Sequence, residues 1–261
     1  MIKAKKSLGQ NFLKSTQIIG EIIKTADLKI DDVVLEVGPG EGVLTEKLLE
    51  EAKRVVAIEK DQRLIGFLEK KFKKFVENKQ LTLVYGDILK IKNSDLFKNY
   101  KIKNYKIIAN IPYYITGQFL RKFLSTDFQP NKVVIMLQKE VAQRITSQKE
   151  SILSLSVKAY GKPKYIITVK AENFSPQPKI DSAILLIDDI SKDFFKNIDE
   201  KYFFQIVKIG FSSKRKMLKK NLSFIPKNEL TQIFTKLKIP LKIRSEDLSL
   251  QEWGNLTKSI H

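Results

Sequence analysis

The stretch DDVVLEVGPGEGVLTEKLLE, residues 31–50, decides the fold. Residues 33–37 read as an apolar strand, Gly38, Gly40 and Gly42 make a turn, and residues 43–49 carry a helical pattern. A strand, a glycine turn and a helix in that order open a parallel α/β sheet. Glycines let the backbone approach a ligand closely, and the helix N-terminus adds partial positive charge. The dinucleotide fingerprint is G-x-G-x-x-G. Here Val43 holds the third glycine position and the last glycine comes one residue early, at Gly42. Glu36 sits within the strand just before the turn. A carboxylate there suits a cationic ligand better than a pyrophosphate.

Working outward, the strand RVVAIEKD (54–61) brings Glu59, with Lys60 beside it, about 20 residues on, where an acid can bind ribose hydroxyls. The strand LTLVYGDIL (81–89) leads to Asp87, which can accept from an adenine amine. Each acid alone is more often a solvated strand end. Three acids after successive strands beside a GxGxG turn describe a site for S-adenosylmethionine, with S-adenosylhomocysteine as product.

The segment IIANIPYYIT (107–116) supplies the other half of the chemistry. The apolar run 105–109 reads as a buried strand, and it stops at an amide, a proline and an aromatic ring. Asn110 offers a carbonyl oxygen as acceptor. Pro112 removes a backbone donor and stiffens the turn, which helps the carbonyl of Ile111 face a substrate. Tyr113 can stack on a flat base. Two acceptors gripping the hydrogens of an aromatic amine could pyramidalise its nitrogen and aim the lone pair at an electrophile. The plainer alternative is a strand followed by a proline turn.

Composition narrows the chemistry. There is no cysteine, so no disulfide, thiolate nucleophile or cysteine zinc site. The only histidine is His261, the last residue, which argues against histidine base catalysis and multi-histidine metal sites; no metal is expected. Methyl transfer to an amine survives this exclusion, because positioning supplies most of what a protein must add. The formal net charge of +19 implies a polyanionic partner, RNA or DNA, although a lysine-rich, A·T-biased composition accounts for part of it. No run of about 18 apolar residues is present, so no membrane association is expected. The segment 1–13, MIKAKKSLGQNFL, has no signal-like apolar region, and a cytoplasmic location is expected.

The chain reads as two domains. Residues 1–191 hold a basic arm (1–14), a helix with Ser15 as N-cap, and alternating strands and helices. Late strands fall at 132–137, 165–170 and 182–188. Residues 192–261 lose the strand signals and read as a small helical domain. Within it, GFSSKRKMLKKNL (210–222) reads as one helix with Phe211, Leu218 and Leu222 on an apolar face. Lys214, Arg215, Lys216, Lys219 and Lys220 occupy the rest. Arg215/Lys219 and Lys216/Lys220 are like charges at i,i+4, a strain that RNA phosphates would relieve; the alternative is a solvated face. In AENFSPQPKIDSAIL (171–185), prolines flank Gln177, and the loop could present Phe174 to the second face of a flipped base. From that loop alone, a buried aromatic is the stronger reading.

The motifs together resemble, end to end, the KsgA-type small-subunit ribosomal RNA adenine dimethyltransferases. The matching pieces are SLGQNFL (7–13), LEVGPGEGVLT (35–45), IEKD (58–61), GDIL (86–89), NIPYYIT (110–116), MLQKEVAQRI (136–145), FSPQPKIDSA (174–183), KRKMLKKNL (214–222) and RSEDLSLQEW (244–253). The glycine motif is shared by many methyltransferases, NIPY narrows the match to methylation of adenine or a related amine, and GQNFL, MLQKEVAQR and the proline loop, in order, are specific. The resemblance implies a Rossmann-like, seven-stranded methyltransferase fold with a helical C-terminal domain contacting rRNA. It implies dimethylation of two adjacent adenosines in a hairpin loop near the 3′ end of 16S rRNA, by a monomer acting on a pre-ribosomal particle. By position it implies cofactor contacts from Asn11, Leu13, Gly38, Glu59, Asp87 and Asn110, with Ile88 near the cofactor adenine; Glu36, Gly40 and Lys60 join them, and Asn110 to Tyr113 with Phe174 form the target site. This chain departs from the family at Gly117-Gln118, where a proline-containing pair is usual, at Tyr114, and in KESILSLSVKAYG (149–161), which lacks a common glycine. The runners-up are an Erm-type enzyme of large-subunit rRNA and a non-catalytic assembly or transcription factor on the same fold. The intact Glu59, Asp87 and Asn110 speak against lost catalysis.

Overall fold

Strands buried on both faces read as near-continuous apolar runs, and residues 33–37 and 106–109 do so, interrupted only by the charged Glu36 and Lys106. The computed structural model describes residues 2–5, 8–97, 102, 104–213 and 215–260; Ser7, Lys214 and His261, singled out above, lie outside them. In chain order the elements begin with β1 (Phe12–Leu13), α1 (Thr16–Ala26), β2 (Val33–Val37), α2 (Val43–Glu51) and β3 (Arg54–Glu59). Then come α3 (Gln62–Lys71), α4 (Lys73–Glu77), β4 (Leu81–Tyr85), α5 (Asn93–Leu96), β5 (Lys106–Asn110), α6 (Thr116–Leu124), β6 (Lys132–Gln138) and α7 (Lys139–Thr146). After α8 (Ile152–Lys158) follow β7 (Lys162–Val169), β8 (Phe174–Ser175) and β9 (Ser182–Asp188).

The seven-stranded sheet has the order β4-β3-β2-β5-β6-β9-β7. Strands β4 to β6 are parallel, as the alternating pattern predicts. Only β9 is reversed: it runs antiparallel to both β6 and β7, so β7 points the same way as β6. The reason is the connection 170–181, which has no crossover helix, and a reversing link can join only antiparallel neighbours. Ser15 caps α1, accepting from the Ile18 amide at 3.4 Å. The side chains of Ile18, Ile19 and Ile22 from α1 join Leu44 and Leu48 of α2 in the core over the sheet.

The chain divides into a unit of Met1–Ala142 with Lys162–Ile190 and a unit of Gln143–Gly161 with Ser191–His261. Residues 143–161 therefore group with the C-terminal helices, whereas the alternation of strands and helices over residues 1–191 places them with the sheet. The cause is direct bonding: Tyr160 donates its hydroxyl to Glu200 at 2.7 Å, and the Glu150 amide donates to the Glu246 carbonyl at 2.7 Å. The second unit also holds α9 (Glu200–Gly210), α10 (Leu218–Asn221), α11 (Lys227–Lys236) and α12 (Leu250–Ile260). Its core centres on Trp253, fully buried, stacked on Phe211 at 5.6 Å and donating its indole N–H to Ser245 O at 3.3 Å.

Residues 210–222 are not one helix. Helix α9 ends at Gly210, a turn follows, and only the four residues of α10 are helical again. The Asn221 side-chain amide donates to the carbonyls of Gly210 and Ser213, and the Leu218 amide donates to Ile243 O at 2.9 Å. Those bonds compete with helix continuation. Arg215 and Lys216 lie in the turn, so the i,i+4 like-charge pairs do not form. Phe211, Leu218 and Leu222 are nonetheless all buried.

Gly42 gives the fold a sharp test. It caps α2 with φ +76°, and a Cβ there would lie 2.5 Å from the Phe72 ring and 2.8 Å from Leu68. Gly42→Ala is expected to cost about 1–3 kcal/mol in urea unfolding, from left-handed strain plus overpacking. Gly66, inside α3 with nothing near its Cβ position, should gain up to about 1 kcal/mol on change to Ala. Equal effects at both positions would contradict this packing.

Candidate active site

In an open α/β sheet, ligands bind outside the carboxyl ends of the strands where the strand order reverses. Here that point lies between β2 and β5, and a cleft of about 1110 Å³, its open mouth included, occupies it. Nearly all the residues expected at the site line this cleft: Asn11 and Leu13 from the arm, Glu36 from the end of β2, Gly38 and Gly40 from the turn after it, Glu59 and Lys60 at the end of β3, and Asp87 and Ile88 after β4. Asn110, which ends β5, and Ile111, Pro112 and Tyr113 after it complete the lining. The tight turn brings the backbone close: a Cβ on Gly40, at φ +59°, would meet the Phe12 ring at 2.9 Å.

Glu36 is the unusual group. Its residue is 1 % exposed, and neither carboxylate oxygen has a hydrogen-bond partner among the described residues. The nearby Thr45 hydroxyl is equally unpartnered. Burial pushes the Glu36 carboxyl up to about 8; Thr45 offsets part of this and the charge of Glu59 adds to it. A buried carboxylate without a partner is costly, and a cation entering the cleft would relieve that cost.

The other two acids are held. Glu59 accepts from the Asp61 amide at 2.9 Å through Oε1 and from the Gly40 amide at 3.4 Å through Oε2. Burial raises its pKa, and these amides oppose that. The bonds aim the carboxylate while leaving each oxygen a further lone pair. Asp87 accepts from Lys60 Nζ at 2.8 Å and from the Leu89 amide at 3.0 Å, and the Lys60 ammonium is the main cause of its lowered pKa. Lys60 therefore enters the site first as the partner of Asp87.

Asn110 donates its Nδ2 to the Asn11 carbonyl at 3.2 Å. That bond fixes the amide's orientation and leaves Oδ1 as the acceptor. Tyr113 lies half-buried in a one-turn 3₁₀ helix, residues Tyr113–Ile115, with its hydroxyl 2.6 Å from Ser182 Oγ. Phe174 is not at the cleft. It is buried beside Leu13 through the antiparallel pair β1–β8 and belongs to the core with Ile18 and Ile19. The loop thus turns this ring inward, and its expected place against a flipped base is corrected accordingly.

Sequence reasoning missed Asp61. Nearly fully buried, it caps α3, accepts from Gln10 Nε2 at 3.1 Å, and takes the Arg63 guanidinium through both oxygens at 3.0 and 2.6 Å. The guanidinium first, and then these other donors, hold its carboxyl well below the usual range. Through Gln10 it ties the arm to the cleft. An aspartate before the helix at 62–71 was the available signal, and it reads as a cap.

The whole chain, residues 1–261, matches the ribosomal RNA adenine dimethylase family. The chain belongs to that family. A protein named ribosomal RNA small subunit methyltransferase A from Dehalococcoides mccartyi is 39% identical over 260 residues, covering 98% of this chain and 88% of that one. The protein of the same name from Clostridium acetobutylicum is 35% identical, covering 98% and 93%. Among solved structures, a dimethyladenosine transferase from Plasmodium falciparum superposes with TM-score 0.78 at 27% identity, covering 94% of this chain and 95% of that one. The 23S rRNA methyltransferase ErmE gives 0.74 at 23% identity, covering 95% and 99%, a likeness of fold alone. As a member of the rRNA adenine dimethylases, the chain is an S-adenosylmethionine-dependent methyltransferase of rRNA adenine. The cleft fits that cofactor: an orphaned carboxylate for its cationic end, a glycine cradle, and two oriented carboxylates for the nucleoside.

Glu36 makes the unliganded enzyme pH-sensitive. Between its ordinary value of 4.5 and about 8, the native carboxyl keeps a proton that the unfolded chain has released. Native stability therefore falls as pH rises through that window, by up to about 1.4 kcal/mol per pH unit. Urea unfolding from pH 5 to 8 should show this slope, and Glu36→Gln should flatten it. Parallel profiles for wild type and variant would mean that Glu36 is ionised in the native state.

Proposed function

We propose that this enzyme transfers methyl groups to the N6 amines of two adjacent adenosines in a hairpin loop near the 3′ end of small-subunit rRNA, as a monomer acting on a pre-ribosomal particle in the cytoplasm. The choice of small-subunit over large-subunit rRNA is supported by the names of relatives 35–39% identical along nearly the whole chain. The likeness to ErmE, at 23% identity, is one of fold alone. No helix among the described residues is long and apolar enough to cross a membrane.

The observation that carries the chemistry is the orientation of Asn110. When bound, S-adenosylmethionine supplies a methyl group already activated on a sulfonium. Asn110 Oδ1, turned away from the Asn11 carbonyl, accepts one hydrogen of the target amine. The Ile111 carbonyl, ahead of a proline with no N–H, accepts the other. Tyr113 stacks on the base and sets its plane. Glu36 faces the cationic end of the cofactor, Glu59 takes ribose hydroxyls, and Asp87, with Ile88 packed beside it, accepts from the adenine amine. Asn110→Ala should slow methyl transfer to immature small subunits about 100-fold or more, the scale of losing one oriented polar contact. RNA affinity should change little, because phosphates dominate it. Near wild-type dimethylation by the variant would refute the clamp.

The residues proposed to grip RNA phosphates are Arg215, Lys216, Lys219 and Lys220. They do not share a helix face, since Arg215 and Lys216 lie in the turn before α10. Their support is that none makes an ion pair among the described residues and that Arg215, Lys216 and Lys220 are exposed, in a chain of net charge +19. Neutralising all four should flatten the log-affinity against log-salt slope for small subunits by up to about 3–4 units. Cofactor affinity should stay as in the wild type. An unchanged slope would make these charges a solvated surface.

A further inference from the structure

Tyr113 is pinned at both ends. Its backbone lies in the 3₁₀ turn, where its carbonyl accepts from the Thr116 hydroxyl at 3.0 Å. Its phenol meets Ser182 Oγ at 2.6 Å. Ser182 is fully buried and starts β9, laddered to Gln138 of β6 on one side and Val169 of β7 on the other. Its backbone is therefore a fixed point of the sheet. Among the described residues, the bond to Tyr113 is the only hydrogen bond its hydroxyl makes. Burial raises the Tyr113 phenol's pKa, so the hydroxyl stays protonated near neutrality.

A tyrosine ring has two side-chain torsions, and fixing the hydroxyl as well as the backbone fixes both. We infer that Ser182 is a positioning residue: through this hydroxyl pair it holds the plane of the Tyr113 ring that faces the target base. This rests on the proposed role of Tyr113 and adds to it a residue 69 positions away, in the segment FSPQPKIDSA. It also gives that segment a use at the site other than Phe174, which the core absorbs. The stacking face is thereby set by the sheet rather than by the loop that carries it. A preset ring spares the reaction the search for a productive orientation.

Two readouts test it, the first needing no substrate. With 3-fluorotyrosine replacing tyrosine, the Tyr113 fluorine signal is the one lost in Tyr113→Phe. In Ser182→Ala that signal should move toward the position of fluorotyrosine in the unfolded chain, and in Ser182→Thr, which keeps the hydroxyl, it should stay near the wild-type position. The second readout is steady-state dimethylation of small-subunit rRNA. Ser182→Ala and Tyr113→Phe should each lower kcat about 10-fold, with KM for RNA and S-adenosylmethionine affinity within about 2-fold of wild type. The double variant should be no worse than either single one, since both remove one bond. An unmoved fluorine signal in Ser182→Ala, or losses that multiply in the double variant, would overturn the inference. If the wild type methylates no small-subunit rRNA, the proposed function fails, and the fluorine signal still decides whether Ser182 anchors the ring.

Discussion

Parallel pairing of β2 with β5 sets Val37 against Ala109, and everything at the site follows from that register. It brings Gly38 against Asn110, so close that a Cβ at 38 would lie 3.4 Å from the Asn110 carbonyl oxygen. The glycine turn then leaves over one face and the proline turn leaves beside it, and the cleft opens between them. A slip of one residue would turn Glu36 to the opposite face and move Asn110 off the rim. The two halves of the chemistry, a seat for a cationic cofactor and a grip on an amine, are therefore one structural event.

The buried charges divide by what they meet. Lys106, at the start of β5, is bonded to Asp32 at 2.7 Å and to the carbonyls of Ala26 and Asp27, so it closes the end of α1. Asp61 is surrounded by the Arg63 guanidinium, Gln10 and the Arg63 backbone amide. Both are complete within the protein and hold structure together. Glu36 is incomplete, and it alone of the three faces the cleft. A fold keeps an unpartnered buried carboxyl where something outside the chain completes it.

What could be read from sequence was what depends on neighbours in the chain. The glycine turn, Glu59, Asp87 and Asn110 each lie at or just past the carboxyl end of a strand, so the topology of any such sheet delivers them to one edge. What failed depends on distant contacts. Phe174 is drawn into the core by pairing with Leu13, far away in sequence. The helix expected over residues 210–222 is broken by bonds from Asn221 to Gly210 and from Leu218 to Ile243. Residues 143–161 join the helical unit through Glu246 and Glu200, which no local pattern foretells. The bond between Tyr113 and Ser182 has no local signature either.

Whether this cleft dimethylates adjacent adenosines of small-subunit rRNA is tested most directly by mapping N6,N6-dimethyladenosine in the rRNA of cells lacking this gene, with and without the gene restored. Two adjacent dimethyladenosines near the 3′ end of the small-subunit rRNA should disappear and return together. Dimethyladenosine that persists there without the gene, or that is lost from large-subunit rRNA instead, would contradict the proposal.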